Sequence, residues 1–331
     1  MKNNTKQFEG KKIIITGGLG FIGSNLAHRL VNSGAVVTLI DSLNPEYGCN
    51  LSNVGGIKDR LHINISDVRD ASSMAYMVQG KDYIFNLAGQ TSHIDSMHDP
   101  FTDLQINCVA QLSILEACRK NNPGVKIIYA GTRQIYGKPM YLPVDEKHLL
   151  QPTDVNGINK MAGEWYHILY NNFYGIRAVS LRLTNTYGPR MRVKDDRQTF
   201  LGIWIKRLIR CEPLHVYGDG LQLRDFNYID DVVDALISAA LQEKANGHIY
   251  NLGSSEVINL KDLAELMIKI NDGGSYDIIP FPGDRKKIDI GDYYSDYSNI
   301  QKELYWHPKV TLKEGLIETI DFYRKHQNNY F

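Results

Sequence analysis

A glycine triplet closes the first apolar run of the chain. Residues 12–23 read KIIITGGLGFIG, with Gly17, Gly20 and Gly23 spaced by three. Each glycine answers a separate physical need: a tight turn, close approach of backbone to a pyrophosphate, and close packing of a helix on a strand. Phe21 and Ile22 fall in the first helical turn, where unpaired N–H groups and the helix dipole favour an anion. Asp41 ends the next apolar run, 18 residues after Gly23. A carboxylate there accepts hydrogen bonds from the adenosine ribose hydroxyls and repels a 2′-phosphate, so the pattern points to NAD over NADP. The plainer reading is a glycine turn followed by a capping aspartate. The strand-to-helix junction near the amino terminus weighs against it.

The elements that must position this loop are legible as alternating apolar runs and helical patterns. Strands are expected at Lys12–Gly17, Ala35–Asp41, Leu61–Asp67, Asp82–Ala88, Lys126–Thr132 and Arg177–Leu183. Helical spacing covers 21–32, about 70–79, 100–121 and 153–174. This βαβ rhythm predicts an α/β, Rossmann-like, doubly wound parallel sheet. After residue 185 the rhythm loosens into Gly-Pro and Gly-Asp-Gly turns and many arginines, then one more helix at 229–243 and a strand at 248–252. The expected division is an NAD-binding domain of residues 1–185 with about 227–254. A smaller, discontinuous lobe of 186–226 and 255–331 would carry the substrate site.

Composition bounds the function class. The 331 residues are 43% hydrophobic and 22% charged, which is ordinary for a globular protein. Lys+Arg and Asp+Glu each number 37, so the chain lacks the basic excess of a nucleic-acid binder or of a protein held on anionic membranes. No apolar run approaches the ~18 residues of a spanning helix, and no signal-peptide pattern opens the sequence. Four cysteines at 49, 108, 118 and 211 form no CxxC pair and no metal cluster, which suits buried thiols in a reducing compartment. A cytoplasmic protein without metal is expected.

With the glycine fingerprint, further strings set at family spacing are TGGLGFIGSNL at 16–26, NLAGQ at 86–90, TRQIYG at 132–137, NKMAGE around Lys160, LRLTNTYGPR at 181–190 and VYGDGLQLRDFNYIDD at 216–231. On these the chain resembles the extended short-chain dehydrogenase/reductase family, in particular nucleotide-sugar epimerases and dehydratases. The resemblance implies that Asp67 and Val68 flank the adenine and that Leu87, Ala88 and Gly89 line the cofactor groove. It implies that Lys160 binds the nicotinamide ribose and that Asn185, Arg224 and Arg285 hold a nucleotide-sugar diphosphate. Guanidinium groups suit that task, being permanently charged and able to bind phosphate bidentately. Residues 191–217, including Arg192, Gln198, Phe200 and Tyr217, are expected to shape the pocket. A homodimer is implied as well, built as a four-helix bundle from helices near 100–121 and 153–174. Their apolar faces are Leu104, Ile106, Val109, Leu112, Leu115 and Met161, Trp165, Ile168, Leu169; these faces could equally cover the sheet.

The sequence departs from the family at its catalytic Tyr-x-x-x-Lys. Lys160 is present, but Asn156 stands four residues before it. An amide donates and accepts hydrogen bonds but is no general base near neutral pH. Thr132 matches the family's Ser/Thr that orients the reacting hydroxyl. His93 falls where the family faces the sugar, and imidazole suits proton transfer at neutral pH; a packing histidine is the alternative. Asn156 would orient sugar or water. Arg133 and Gln134 occupy the places where dehydratases of the family carry an acidic pair, so both are read as substrate-binding, with Arg133 toward an anionic or keto group. The expected activity is NAD-dependent nucleotide-sugar epimerisation through a keto sugar. The alternatives are a dehydratase, dehydrogenase or keto-sugar enzyme with unusual acid/base residues, and a protein that binds NAD and nucleotide sugar without turnover.

Overall fold

The computed structural model describes residues 5–195, 197 and 199–331. Gln198, expected near the pocket, lies outside the described residues. The first half alternates strand and helix: β1 (Lys12–Thr16), α1 (Phe21–Asn32), β2 (Val36–Asp41), β3 (Leu61–Ile65), α2 (Ala71–Met77), β4 (Tyr83–Asn86), α3 (His93–His98), α4 (Pro100–Leu104), α5 (Ala110–Asn121), β5 (Lys126–Thr132), α6 (Val155–Tyr174) and β6 (Arg177–Leu183). The helix expected over 100–121 is interrupted by a π-helical turn at Gln105–Val109, a feature that recurs at functional sites.

One seven-stranded sheet has the order β10-β6-β5-β4-β1-β2-β3, where β10 is Ile249–Asn251. Its pairings are all parallel. Helices cover both faces, which is why the central strands read as unbroken apolar runs. Ile13, Ile14, Ile15, Val37, Leu39, Ile84, Phe85, Ile127 and Ile128 are all buried, each contributing about 1.5–3 kcal/mol relative to exposure. The edge strand β3 is only half-buried. The chain leaves β1 toward β2 and β3, then crosses back to β4. The carboxyl ends of β1 and β4 therefore form the switch point where ligands bind in open α/β sheets.

The second half adds β7 (Asn185–Tyr187), α7 (Phe200–Ile209), β8 (Leu214–Tyr217), β9 (Leu223–Tyr228) and α8 (Ile229–Leu241), then β10. After it come β11 (Val257–Asn259), α9 (Leu260–Asn271), β12 (Tyr276–Ile279) and α10 (Gly283–Ile288). Strands β11-β9-β7 make a small mixed sheet and β12-β8 a parallel pair. Among the described residues no helix is long and apolar enough to cross a membrane.

The helices expected to pair two chains divide their apolar residues. Ile106, Leu115 and Ile168 are buried within the chain, whereas Leu104, Val109, Trp165 and Leu169 are exposed.

Candidate active site

The β1–α1 turn builds the first half of the site. Gly17 has φ +66°, and a Cβ there would stand 3.1 Å from the Ala88 backbone. At Gly23 a Cβ would fall 2.3 Å from the Gly17 carbonyl, so only glycine lets α1 pack onto its own strand. Gly20 caps α1 in extended conformation without a side-chain bond, and the N–H groups of the first helical turn stay available to an anion. Thr16 Oγ1 accepts from the Leu87 and Ala88 amides, both at 3.0 Å, and donates to Asn86 Oδ1 at 2.9 Å. This knot fixes the ends of β1 and β4 against each other. Asp41 is buried and accepts from the amides of Leu19 and Leu43 at 3.0 and 3.1 Å; burial raises its pKa above the usual carboxylate value. Val68 is buried, and the Asp67 carboxylate is paired with Arg69 at 2.7 Å.

Beyond the loop a cleft with about 450 Å³ of free volume opens. Phe21, Ile22, Leu87, Gly89, His93, Thr132, Arg133, Gln134, Asn156, Lys160, Asn185, Tyr217, Arg224 and Arg285 all line it. A Cβ on Gly89 would stand 2.9 Å from Asn107 Oδ1, a buried oxygen with no hydrogen-bond partner. The glycine cradle, the open helix end and this orphaned acceptor fit a dinucleotide lying across the switch point.

Lys160 and Asn156 take different roles on α6. The Lys160 ammonium donates to the Ala130 carbonyl at 2.6 Å and lies 4.6 Å from the centre of the Tyr129 ring. Burial pulls its pKa down to about 8. The Asn156 amide nitrogen is taken up within the protein, so the ligand-orienting role expected from the sequence would fall to its Oδ1. Its Nδ2 donates to the Gln90 carbonyl at 2.8 Å and to Asp103 Oδ2 at 3.0 Å. Both partners only accept, which fixes the amide orientation and leaves Oδ1 for the cleft. The fully buried Asp103 also takes bonds from Asn107 and Asn159.

His93 begins α3, and its Nδ1 lies 3.1 Å from Asp154 Oδ2, a close approach without the direction of a hydrogen bond. Asp154 is the N-cap of α6, accepting from Gly157 N at 2.7 Å, and it also accepts from Gln134 Nε2 at 2.7 Å. Burial alone would raise its pKa, but His93 and these bonds hold it below the usual value. Gln134 thus serves Asp154, although it was expected to bind substrate. Thr132, at the end of β5, accepts from Gln134 N at 3.2 Å.

The far wall is cationic. Arg224, from β9, bonds to the Leu223 and Gly291 carbonyls and lies 3.6 Å from Asp289; burial lowers its pKa to about 10. Asn185 accepts from Arg133 Nη2 at 2.8 Å and donates to the Asp225 carbonyl at 2.9 Å. Tyr217 packs on Phe281, with ring centres 5.6 Å apart. Arg207, within the 191–217 stretch expected to shape the pocket though not singled out there, also lines the cleft. Arg192 does not reach the cleft, contrary to expectation: it is held by Asp195 and the Pro45 carbonyl. Sequence reasoning also missed Asp154 and Asp103. An aspartate just before a helical pattern is an N-cap signal that could have drawn attention to Asp154. Asp103 carried no such signal.

This geometry fits a dinucleotide-dependent enzyme whose cleft is lined on its far side by arginines. The sequence pattern of the NAD dependent epimerase/dehydratase family matches residues 13–253, and the chain belongs to that family. It is 31% identical to a putative UDP-glucose 4-epimerase of Methanocaldococcus jannaschii, over 94% of this chain and 97% of that one. It is 30% identical to a UDP-N-acetyl-alpha-D-glucosaminuronate decarboxylase of Bacillus cytotoxicus, over 96% and 99% respectively. The structure of the Thermotoga maritima UDP-glucose 4-epimerase with UDP-glucose superposes with a TM-score of 0.86 at 29% identity, covering 96% of this chain and 99% of that one. The chain is thus an NAD-dependent enzyme of nucleotide-sugar type, with relatives divided between epimerases and decarboxylases.

Proposed function

We propose that this enzyme is an NAD-dependent nucleotide-sugar epimerase that works through a transient keto sugar. The observation that carries the reading is one continuous cleft. It runs from Phe21 and Ile22, in the first turn of α1, past Thr132 and Lys160 to the wall of Arg133, Arg224 and Arg285. NAD, held by Gly17, Gly20, Phe21, Ile22, Gly23, Asp41, Leu87, Ala88 and Lys160, with Asp67 and Val68 beside the adenine, would supply reversible oxidation of a sugar carbinol, carbon 4 in this reading. The chain's own residues position the sugar and manage the proton. Thr132 orients the hydroxyl. His93 accepts its proton through Nε2, with Asp154 behind Nδ1. The Lys160 charge fixes the nicotinamide ribose and favours the developing alkoxide. Asn185, Arg224 and Arg285 hold the diphosphate, and Tyr217 offers an aromatic face to the base.

Dehydration is less well supported. The places of the dehydratase acidic pair hold Arg133 and Gln134, and neither shuttles protons. A homodimer through α4–α6 accounts for the exposure of Leu104, Val109, Trp165 and Leu169; light scattering checks it.

The test is incubation with a nucleotide-sugar panel in deuterated water, read by proton NMR and mass spectrometry. An isomer of unchanged mass without deuterium supports the reading. Deuterium at one carbon, or loss of water or carbon dioxide, replaces it with enolisation, dehydration or decarboxylation. Binding of a sugar with no conversion in any mixture supports the non-catalytic alternative.

A further inference from the structure

We propose that the sugar taken by this site carries a carboxylate, as in a nucleotide-linked hexuronate, and that Arg133 selects it. The inference rests on the nucleotide-sugar reading above and names the substrate class within it.

Arg133 follows Thr132 directly at the carboxyl end of β5 and lines the cleft. Its guanidinium is held in place on two sides. Nη2 donates to Asn185 Oδ1 at 2.8 Å, and the group lies 5.2 Å from the centre of the Tyr293 ring. Asn185 is itself tied to the Asp225 carbonyl. Yet Nη1 is covered and has no hydrogen-bond partner, and no carboxylate among the described residues lies within ion-pair distance of Arg133. Two other arginines of the cleft differ. Arg224 lies 3.6 Å from Asp289, and Arg197 lies 3.3 Å from Glu46.

A guanidinium withdrawn from water, with its nearest carboxylates Asp225 and Asp289 beyond ion-pair distance, is costly, and its cost is offset when an anion arrives. A carboxylate meets the planar fork with two charge-assisted hydrogen bonds; a neutral hydroxymethyl group cannot. The position argues for an anion on the sugar rather than on the diphosphate. Arg133 leaves the same strand end as the hydroxyl of Thr132, whereas Arg224 and Arg285 come from the other lobe. Asn185 does double duty here, facing the diphosphate region and fixing the selecting guanidinium.

The test compares pairs that share a base: UDP-glucose against UDP-glucuronate, and UDP-N-acetylglucosamine against UDP-N-acetylglucosaminuronate. Binding to the NAD-loaded protein is measured by calorimetry. Each ratio within a pair is independent of which base the enzyme prefers. The expected result is tighter binding of the acidic member by about tenfold or more, the size of one charged hydrogen-bonded contact. Arg133→Met should bring the two members of each pair within about threefold of one another. Asn185→Ala, which frees the guanidinium, should shrink the preference without inverting it.

Equal affinities within both pairs in the wild-type protein overturn the proposal, whether or not Arg133→Met folds. A wild-type preference that survives in Arg133→Met also overturns it, as does an equal loss for acidic and neutral sugars, which would place Arg133 on the diphosphate. If the preference holds but no isomer ever forms, the inference stands and the epimerase reading fails. If no nucleotide sugar binds, whichever base carries it, both fail.

Discussion

Nδ1 of His93 lies 3.1 Å from Oδ2 of Asp154, joining the start of α3 to the cap of α6 at the edge of the cleft. The buried carboxylate stands beside Nδ1 of a residue that itself lines the cleft. In the proposed mechanism this imidazole would do the work of a tyrosine four residues before Lys160, where the chain has Asn156.

The first prediction concerns this pair. His93→Ala should lower kcat by about 10²–10⁴, the usual share of a general acid–base group, while nucleotide-sugar binding survives. Asp154→Asn keeps a capping side chain for Gly157 but removes the charge. It should lower kcat by about tenfold or more with KM little changed, since an orienting group acts on turnover rather than on binding. Steady-state kinetics with the sugar found in the isomerisation screen decide it. A His93→Ala enzyme with full kcat would remove the imidazole from the mechanism.

Lys160 carries a second prediction, in which activity and stability move in opposite directions. Its pKa is pulled to about 8 by burial, below the ~10.4 of a free lysine. The unfolded chain therefore holds this proton more tightly between those values, and stability rises with pH across that window. At pH 7 the folded state bears the cost of the buried charge. Lys160→Met should abolish turnover, as should Thr132→Val, yet raise stability at pH 7 by about 1–2 kcal/mol after loss of the bond to Ala130. The advantage should shrink as pH rises from 8 toward 10. Urea melts at pH 7 and 9 read the stability effect. A destabilised Lys160→Met at pH 7 contradicts it.

The sheet and the glycine cradle were legible in the sequence because each depends on local pattern, whereas Thr132 and Lys160, which both line the cleft, were placed by resemblance to the family. Strands buried on both faces read as apolar runs, and the glycines are spaced along one turn. What escaped depends on contacts between distant segments. Asp154 pairs with His93 across 61 positions, and Asp103 claims the Asn156 amide across 53. Arg192 illustrates the converse. Its residue type suited a phosphate, but nearby Asp195 and the Pro45 carbonyl hold it away from the cleft. A helix pattern likewise does not separate a face that meets a sheet from one that stays exposed, and Ile168 and Leu169 are adjacent examples.

Asn156 supplies a third prediction. Asn156→Asp is nearly isosteric but sets a second carboxylate against the buried Asp103, where Nδ2 now stands 3.0 Å from Oδ2. Two carboxylates at that distance do not both ionise readily, so one is driven to bind a proton and its folded pKa rises. Stability is then retained at low pH and lost as pH climbs past the unfolded aspartate value. Asn156→Asp should be less stable than the wild-type protein by about 2–4 kcal/mol at pH 7, and by clearly less at pH 5. Denaturant titrations at the two pH values check it. A pH-independent difference would mean that the amide does not face Asp103.

The last prediction returns to the glycine turn. At Gly23 an added methyl would stand 2.3 Å from the Gly17 carbonyl and 2.9 Å from the Gly18 Cα, both backbone atoms that no rotamer change can clear. Relief requires α1 to lift from β1, which displaces the amides of its first turn from the pyrophosphate position. Gly23→Ala should therefore cost NAD affinity first. The purified variant should release little NAD on denaturation and need at least tenfold more NAD to restore turnover, a loss of about 1.4 kcal/mol or more. Gly175→Ala is the contrasting control, because Gly175 ends α6 in a left-handed conformation with open space around its Cβ position. It should cost about 1 kcal/mol of stability through backbone strain and leave NAD content unchanged. Equal NAD content in both variants would show that the glycine spacing serves packing alone.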